Sequence, residues 1–238
     1  KMKIKQIIFS EEISNKMLQR NELIFDKKVD VVIMAGGKGK RLQPFTSFLP
    51  KPMLPIEDKT VIDKIIESFL FLNTKNIYIS INDKSKILQS YLSSIYKKKK
   101  LIYIKENKIL GTAGSLSLLK KKLSKDFFVS NCDTFINVDY GSIYNFHKEN
   151  KNVLTIVGCI INETSPYGEC RIGKTGQLLK LIEKPSRNLI VNTGFYVFSS
   201  KALSNLKTNN YEDMNIFIEK LLKKKYKVGV FPIKEQDW

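Results

Sequence analysis

Residues 29–56, VDVVIMAGGKGKRLQPFTSFLPKPMLPI, constrain this chain more than any other stretch. An apolar run, Val31-Val32-Ile33-Met34, passes directly into Ala35-Gly36-Gly37-Lys38-Gly39-Lys40-Arg41. A buried β-strand that feeds a glycine-rich basic loop is the outline of a phosphate cradle. Backbone N–H groups reach an anion most easily where no side chain stands in the way. Two common cradles fail on spacing. The P-loop pattern G-x-x-x-x-G-K-[ST] cannot be built from Gly36, Gly37 and Gly39. The dinucleotide pattern G-x-G-x-x-G needs a third glycine where Leu42 stands.

Composition narrows the field further. The 238 residues carry 41 Lys and Arg against 23 Asp and Glu, a net charge of +18. Such an excess attracts anions. The lysines are dispersed, with short runs at 97–100, 120–122 and 223–225, and no dense basic block with interleaved aromatics marks a nucleic-acid surface. No apolar run reaches the length of a membrane span. The first residues, Lys1-Met2-Lys3-Ile4-Lys5, lack the apolar core and cleavage site of a leader peptide. Cys132, Cys159 and Cys170 are odd in number and have no metal-ligand spacing, so reduced thiols and a cytoplasmic location are expected. The single histidine, His147, falls in a predicted helix over 142–149 and reads as a packing residue.

Periodicity predicts strands over 76–81, 101–104, 127–130, 153–160, 178–183, 190–198 and 227–231. Helical spacing appears over 60–72, 87–96 and 211–223, the first capped by Thr60 with Asp63 three residues on. Strands alternating with helices predict an α/β, Rossmann-like three-layer sandwich with a mixed, mostly parallel central sheet. Phosphate ligands then belong at the carboxyl ends of its strands.

The stretch Gly36-Gly37-Lys38-Gly39-Lys40-Arg41-Leu42-Gln43-Pro44-Phe45-Thr46, followed by Pro50-Lys51-Pro52, resembles the signature of the sugar-nucleotide pyrophosphorylases, nucleotidyltransferases that act on sugar 1-phosphates. The family pattern is roughly G-G-x-G-x-R-L-x-P-x-T and then P-K-P. The resemblance implies a nucleotidyltransferase fold over 29–238. It implies that a sugar 1-phosphate attacks the α-phosphorus of a nucleoside triphosphate and that pyrophosphate leaves. A phosphomonoester, with a second pKa of about 6, is already an oxyanion nucleophile near neutrality, so no general base is needed. The demand is for cations, a divalent metal and backbone donors that offset repulsion and leaving-group charge.

The resemblance also assigns roles. Ala35, Gly36, Gly37 and Gly39 would wrap the triphosphate, Arg41 would neutralise the leaving pyrophosphate, and Lys51 would approach the α-phosphate. Leu110-Gly111-Thr112-Ala113-Gly114-Ser115-Leu116 looks like the second nucleotide element, where Gly111 lets the base approach and Thr112 opens a helix. Relatives often have proline where Ile109 stands. Glu106, five residues before Gly111, falls at a base-reading position. A carboxylate only accepts hydrogen bonds, and guanine offers N1–H and N2–H₂ side by side, so Glu106 argues for GTP over uracil or thymine nucleotides. Asp133, in Asn131-Cys132-Asp133, resembles the family's Mg²⁺ ligand, with a second carboxylate expected two positions past Trp238. Pro166-Tyr167-Gly168, Glu183-Lys184-Pro185 and Val191-Asn192-Thr193-Gly194 resemble the sugar-side elements. There Gly168, Glu183, Asn192 and Thr193 would contact sugar and Lys184 the sugar phosphate. Asp213 reads first as the start of a helix.

The segment Met2-Lys3-Ile4-Lys5-Gln6-Ile7-Ile8-Phe9 is similar to the last strand of a cystathionine-β-synthase-type (CBS) regulatory domain, which makes 1–28 the expected end of such a domain plus a linker. With Glu106, it points to the bacterial glucosamine-1-phosphate guanylyltransferases of legionaminic acid synthesis. Mannose-1-phosphate and heptose-1-phosphate guanylyltransferases are the near alternatives, and uridylyl- or thymidylyltransferases stand further off. A non-catalytic nucleotide-sugar sensor is the alternative of a different class.

Overall fold

A computed structural model describes residues 28–37, 39, 42–70, 72, 74–82, 85–97 and 101–238. The expected CBS-type strand and Arg41 lie outside the described residues.

Seven strands form the central sheet: β1 (Val29–Met34), β4 (Thr74–Asn82), β5 (Leu101–Glu106), β6 (Asp126–Asn131), β7 (Leu154–Thr164), β10 (Ser186–Ser199) and β11 (Val228–Lys234). Their order is β11-β7-β10-β6-β1-β4-β5. β10 alone runs against its neighbours β6 and β7, and the other pairings are parallel. The sheet is therefore mixed and mostly parallel, as its alternation with helices predicted. Two small antiparallel pairs stand apart from it: β2 (Pro55–Ile56) with β3 (Lys59–Thr60), and β8 (Glu169–Ile172) with β9 (Leu178–Ile182).

The apolar run of β1 is central and buried on both faces, which is why it shows no alternation. Val31 and Ile33 face one layer, built by helices α1 (Val61–Leu70), α2 (Lys86–Ile95) and α3 (Tyr140–Glu149). Val32 and Met34 face the other, where Leu116, Leu203 and the helix α4 (Met214–Lys223) pack. Phe69, Tyr140 and Phe195 join the first layer to the sheet through ring contacts of 5.0–5.6 Å. Each such fully buried aromatic is worth roughly 1.5–3 kcal/mol of transfer free energy.

Thr60 caps α1 as its spacing with Asp63 predicted. The Asp63 N–H donates to Thr60 Oγ1 at 3.3 Å, and Thr60 N–H donates back to Asp63 Oδ2 at 3.2 Å. Tyr91 and Tyr96 also donate to that carboxylate, at 2.5 and 3.0 Å. His147 is buried in α3, with Nδ1 2.9 Å from Thr155 Oγ1 and Nε2 3.6 Å from Asp126 Oδ1, a packing role at the far end of the strands. The thiols of all three cysteines are free, and burial pushes that of Cys132 up to about 12.

Candidate active site

At the carboxyl ends of β1, β4, β5 and β6 lies a cavity of about 520 Å³. In a doubly wound sheet this is where phosphate ligands are expected. Its floor is the glycine loop after β1. Ala35 N–H donates to Ser80 O at 3.1 Å, and Asn82 Nδ2 donates to Gly36 O at 2.9 Å, so β4 holds the start of the loop. A Cβ on Gly36 would stand 2.9 Å from Glu106 Oε1 and therefore meets a carboxylate. Gly36 is thus required by close approach, and Gly36, Gly37 and Gly39 all line the cavity.

Lys51 sits in the helical turn Lys51–Met53, with Pro50 before it and Pro52 buried behind it. Its Nζ forms an ion pair with Asp133, which follows β6. Two residues 82 positions apart thus meet on one wall, and both are partly open to solvent. The carboxylate that sequence reasoning reserved for a metal is already holding a cation. Among the described residues no group of three or more His, Cys, Asp or Glu side chains could enclose a metal. Asp133 is one carboxylate of the kind Mg²⁺ takes together with phosphate oxygens and water.

Glu106, the last residue of β5, is only 7% exposed. Its Oε1 accepts from the Ser80 hydroxyl and its Oε2 from Leu110 N–H at 3.3 Å. Burial pushes its pKa up, and the two hydrogen bonds oppose that rise. Each oxygen keeps a lone pair for a ligand donor.

Gly111 is held as glycine by its own backbone and by a close neighbour. Its φ is +75°, and a Cβ there would lie 2.6 Å from the Glu212 carbonyl oxygen. The close neighbour of Gly111 is the chain's own backbone, since Ala113 and Gly114 N–H both donate to Glu212 O at 3.0 Å. Thr112 also looks inward as well as lining the cavity: its Oγ1 accepts Met214 N–H at 2.9 Å and so caps α4 from another segment. Asp213 occupies the N-cap position of α4, yet its carboxylate makes no cap hydrogen bond. Asp213, Tyr211 and Asn131 line the cavity and were not singled out as binding residues from sequence. The signal for Asp213 was a helix-start aspartate whose capping partner could not be checked without the fold.

The expected sugar-side residues lie on the extensions of the sheet. Gly168 and Glu183 face each other across the β8–β9 end, where a Cβ on Gly168 would stand 3.3 Å from Glu183 Oε2. Lys184 is exposed, with φ +44°. Asn192 Nδ2 donates to Tyr196 Oη at 2.9 Å, and its Oδ1 accepts Gly194 N–H at 3.0 Å. Thr193 is 4% exposed, and its hydroxyl donates to Val157 O at 2.8 Å, so it shapes the β10 turn. Asp237 belongs to the turn Glu235–Asp237, and its carbonyl receives Asn137 N–H at 2.8 Å, just past the loop that bears Asp133.

The comparisons agree with this geometry. The chain is 31% identical over 182 residues to mannose-1-phosphate guanylyltransferase catalytic subunit beta of Dictyostelium discoideum, covering 74% of this chain and 51% of that protein. It is 30% identical over 182 residues to the bifunctional protein GlmU of Methanococcus aeolicus, covering 76% of this chain and 42% of that one. The chain thus spans about half the length of the curated relatives it matches. HddC from Yersinia pseudotuberculosis, solved in complex with GMP-PN, superposes with a TM-score of 0.66 at 26% identity over 86% of this chain and 90% of that one. The inositol-1-phosphate CTP transferase of T. maritima shares the fold, with a TM-score of 0.65 at 16% identity over 87% and 86% of the two chains. The nucleotidyl transferase family pattern matches residues 30–238, from the first core strand through the glycine loop to the last residue, and the chain belongs to that family.

Proposed function

We propose that this chain carries the catalytic domain of a sugar-1-phosphate guanylyltransferase. The observation that carries the reading is the convergence of a glycine loop, the Lys51–Asp133 pair and the buried Glu106 on one cavity. GTP lies along it, with its phosphates over Gly36, Gly37 and Gly39 and its base toward Glu106 and Gly111. An oxygen of the sugar 1-phosphate attacks the α-phosphorus, and the new P–O bond forms as the bond to the β-phosphate oxygen breaks. Pyrophosphate leaves with the bonding pair, and no proton needs to move.

Lys51 leaves Asp133 when the triphosphate arrives and turns to the α-phosphate, where its charge offsets the repulsion between two anions. Asp133, freed of that ammonium, would hold Mg²⁺, which when bound would neutralise charge on the phosphates. Lys184 would meet the sugar phosphate, and Glu183, Asn192 and the Gly168 backbone the sugar hydroxyls. Arg41 keeps the role of countering pyrophosphate. We propose cytoplasmic action; among the described residues no helix is long and apolar enough to cross a membrane.

Two sugars have support. Glucosamine 1-phosphate follows from the likeness of residues 2–9 to a CBS strand, and mannose 1-phosphate is named in the D. discoideum relative. The test offers purified full-length protein each nucleoside triphosphate with each sugar 1-phosphate and measures pyrophosphate. GTP with one of these two sugars is expected to be fastest. A preference for UTP or dTTP sinks the base assignment, and nucleotide binding without turnover on any pair favours a sensor.

A further inference from the structure

We infer that Asp213 is a second base-reading carboxylate that accepts the 2-amino group of guanine, with Tyr211 as its positioning residue. This rests on the GTP reading above and assigns a part of that site which Glu106 alone does not fill. The first observation is an aspartate at an N-cap that does not cap. With φ −80° and ψ 153°, Asp213 has the backbone of a capping residue, whose side chain ordinarily accepts an N–H of the first helical turn. It makes no such bond, while the first N–H of α4, that of Met214, goes to Thr112 Oγ1. The Asp213 carboxylate is thus not bonded to the helix it precedes, and Asp213 lines the cavity.

The second observation is where the carboxylate is held. Tyr211 Oη donates to its Oδ2 at 2.8 Å, while Oδ1 lies 3.1 Å from the position a Cβ of Gly111 would take. Glu106 Oε2 accepts from Leu110 N–H, and Leu110 O in turn receives Glu212 N–H at 2.8 Å. The two carboxylates therefore flank one dipeptide, Leu110–Gly111, in the cavity that Glu106 and Asp213 both line. A chain with 41 basic and 23 acidic residues places two acceptor-only groups there. Among bases, guanine presents adjacent donors, N1–H and N2–H₂, and two acceptors match two donors. Uracil and thymine, with a donor between acceptors, would leave one carboxylate facing an acceptor.

The experiment compares GTP, ITP (which lacks the 2-amino group) and 2′-deoxy-GTP on wild type, Asp213→Ala and Asp213→Asn. It reads KM and kcat by pyrophosphate release and Kd by calorimetry without sugar phosphate. Asp213→Ala is expected to raise KM and Kd for GTP about tenfold, the scale of a hydrogen bond to a charged group, with kcat little changed and ITP unaffected. Asp213→Asn, which keeps one acceptor oxygen, recovers part of the loss, and this variant carries the comparison if Asp213→Ala fails to fold. Tyr211→Phe should lose two- to threefold, again for GTP only. Equal losses for GTP and ITP, a loss confined to the contrast between GTP and 2′-deoxy-GTP, or no loss at all overturns the assignment while the GTP reading stands. A wild type that prefers UTP to GTP overturns both.

Discussion

The two ends of the proposed substrate path are built from different material. The nucleotide end is made by strands that finish inside the core. β1 and β6 are buried almost to their last residues, and the side chains beyond them are tied to one another: Asn82 to Gly36, Ser80 to Glu106, Thr112 to α4. The sugar end stands on strands that outrun the core. β7 is buried over its first half and exposed over its last three residues, and β10 is exposed until Asn192 and buried after it. The β8–β9 pair is exposed along nearly its whole length, with Ile172, Leu178, Leu179 and Leu181 each about 60% open or more. The glycine loop proposed to hold the triphosphate is thus fixed by side-chain and backbone bonds from β4. The ribbon proposed to meet the sugar is open to solvent, so the contrast is between a buried, hydrogen-bonded nucleotide end and an exposed sugar end.

The comparison breaks first if charge on the nucleotide end turns out to be dispensable. Lys51→Ala and Asp133→Asn should each lower turnover by about 100- to 1,000-fold, the cost of removing one preorganised electrostatic partner. Thermal unfolding should change little, because the pair is partly exposed and such pairs are worth about 0–1 kcal/mol. Near-full Mg²⁺-dependent activity in Asp133→Asn would refute the metal assignment. In the unliganded protein, Lys51→Ala should also bind Mn²⁺ more tightly than wild type, read by paramagnetic resonance, because the competing ammonium is gone.

A sharper test uses two glycines with nearly the same backbone. Gly111 and Gly176 have φ of +75° and +84°, so alanine strains both by about 1–2 kcal/mol. At Gly111 the new methyl also meets the Glu212 carbonyl at 2.6 Å, whereas at Gly176, in the β8–β9 turn, it meets nothing within 4 Å. Gly111→Ala should therefore cost about 3 kcal/mol or more and raise KM for GTP. Gly176→Ala should cost about 1 kcal/mol and leave GTP affinity unchanged. Equal costs, measured by denaturant unfolding, would mean that the nucleotide end is not the tightly packed one.

Glu106 gives the intermediate effect, with opposite signs for stability and function. Its pKa is raised in the fold by burial, so the ionised carboxylate costs stability at neutral pH, and that cost disappears as pH falls below its unfolded value. Glu106→Gln should then raise the melting temperature of the unliganded protein by a few degrees while loosening the preference for GTP. In the wild type, GTP affinity should weaken as pH drops through the raised pKa, above the ordinary carboxylate range, and this pH dependence should vanish in Glu106→Gln.

The same contrast explains what could be read from sequence. Val31–Met34 was legible because a strand segment buried on both faces is apolar at consecutive positions and gives way to the glycine loop. The Thr60–Asp63 cap was legible because its partners lie three residues apart. The partners of Asp63 in Tyr91 and Tyr96, and of Thr112 in Met214, were not, because bonds across 28, 33 and 102 positions leave no local spacing to read. For that reason the sequence placed Asp213 at a helix start, as the fold does, without showing that its carboxylate makes no cap bond. β8 has no local signal because Glu169–Ile172 is short, exposed and without a core face to impose alternation, whereas the glycine loop after β1 is legible because its glycines stand close together in the chain.

The smallest effect belongs to the sugar end itself. Leu179 is 64% exposed on β9. Leu179→Ser should shift stability by no more than about 0.5 kcal/mol, as exposed sites away from special contacts do. By contrast, Leu116→Ala, at a side chain fully buried beneath the nucleotide element, should cost about 2–5 kcal/mol. With the ribbon acting as a sugar-side wall, Leu179→Ser should alter KM for the sugar phosphate before it alters KM for GTP. A loss of GTP affinity at unchanged sugar affinity would show that the ribbon answers to the nucleotide, and the division between a buried end and an exposed one would have to be redrawn.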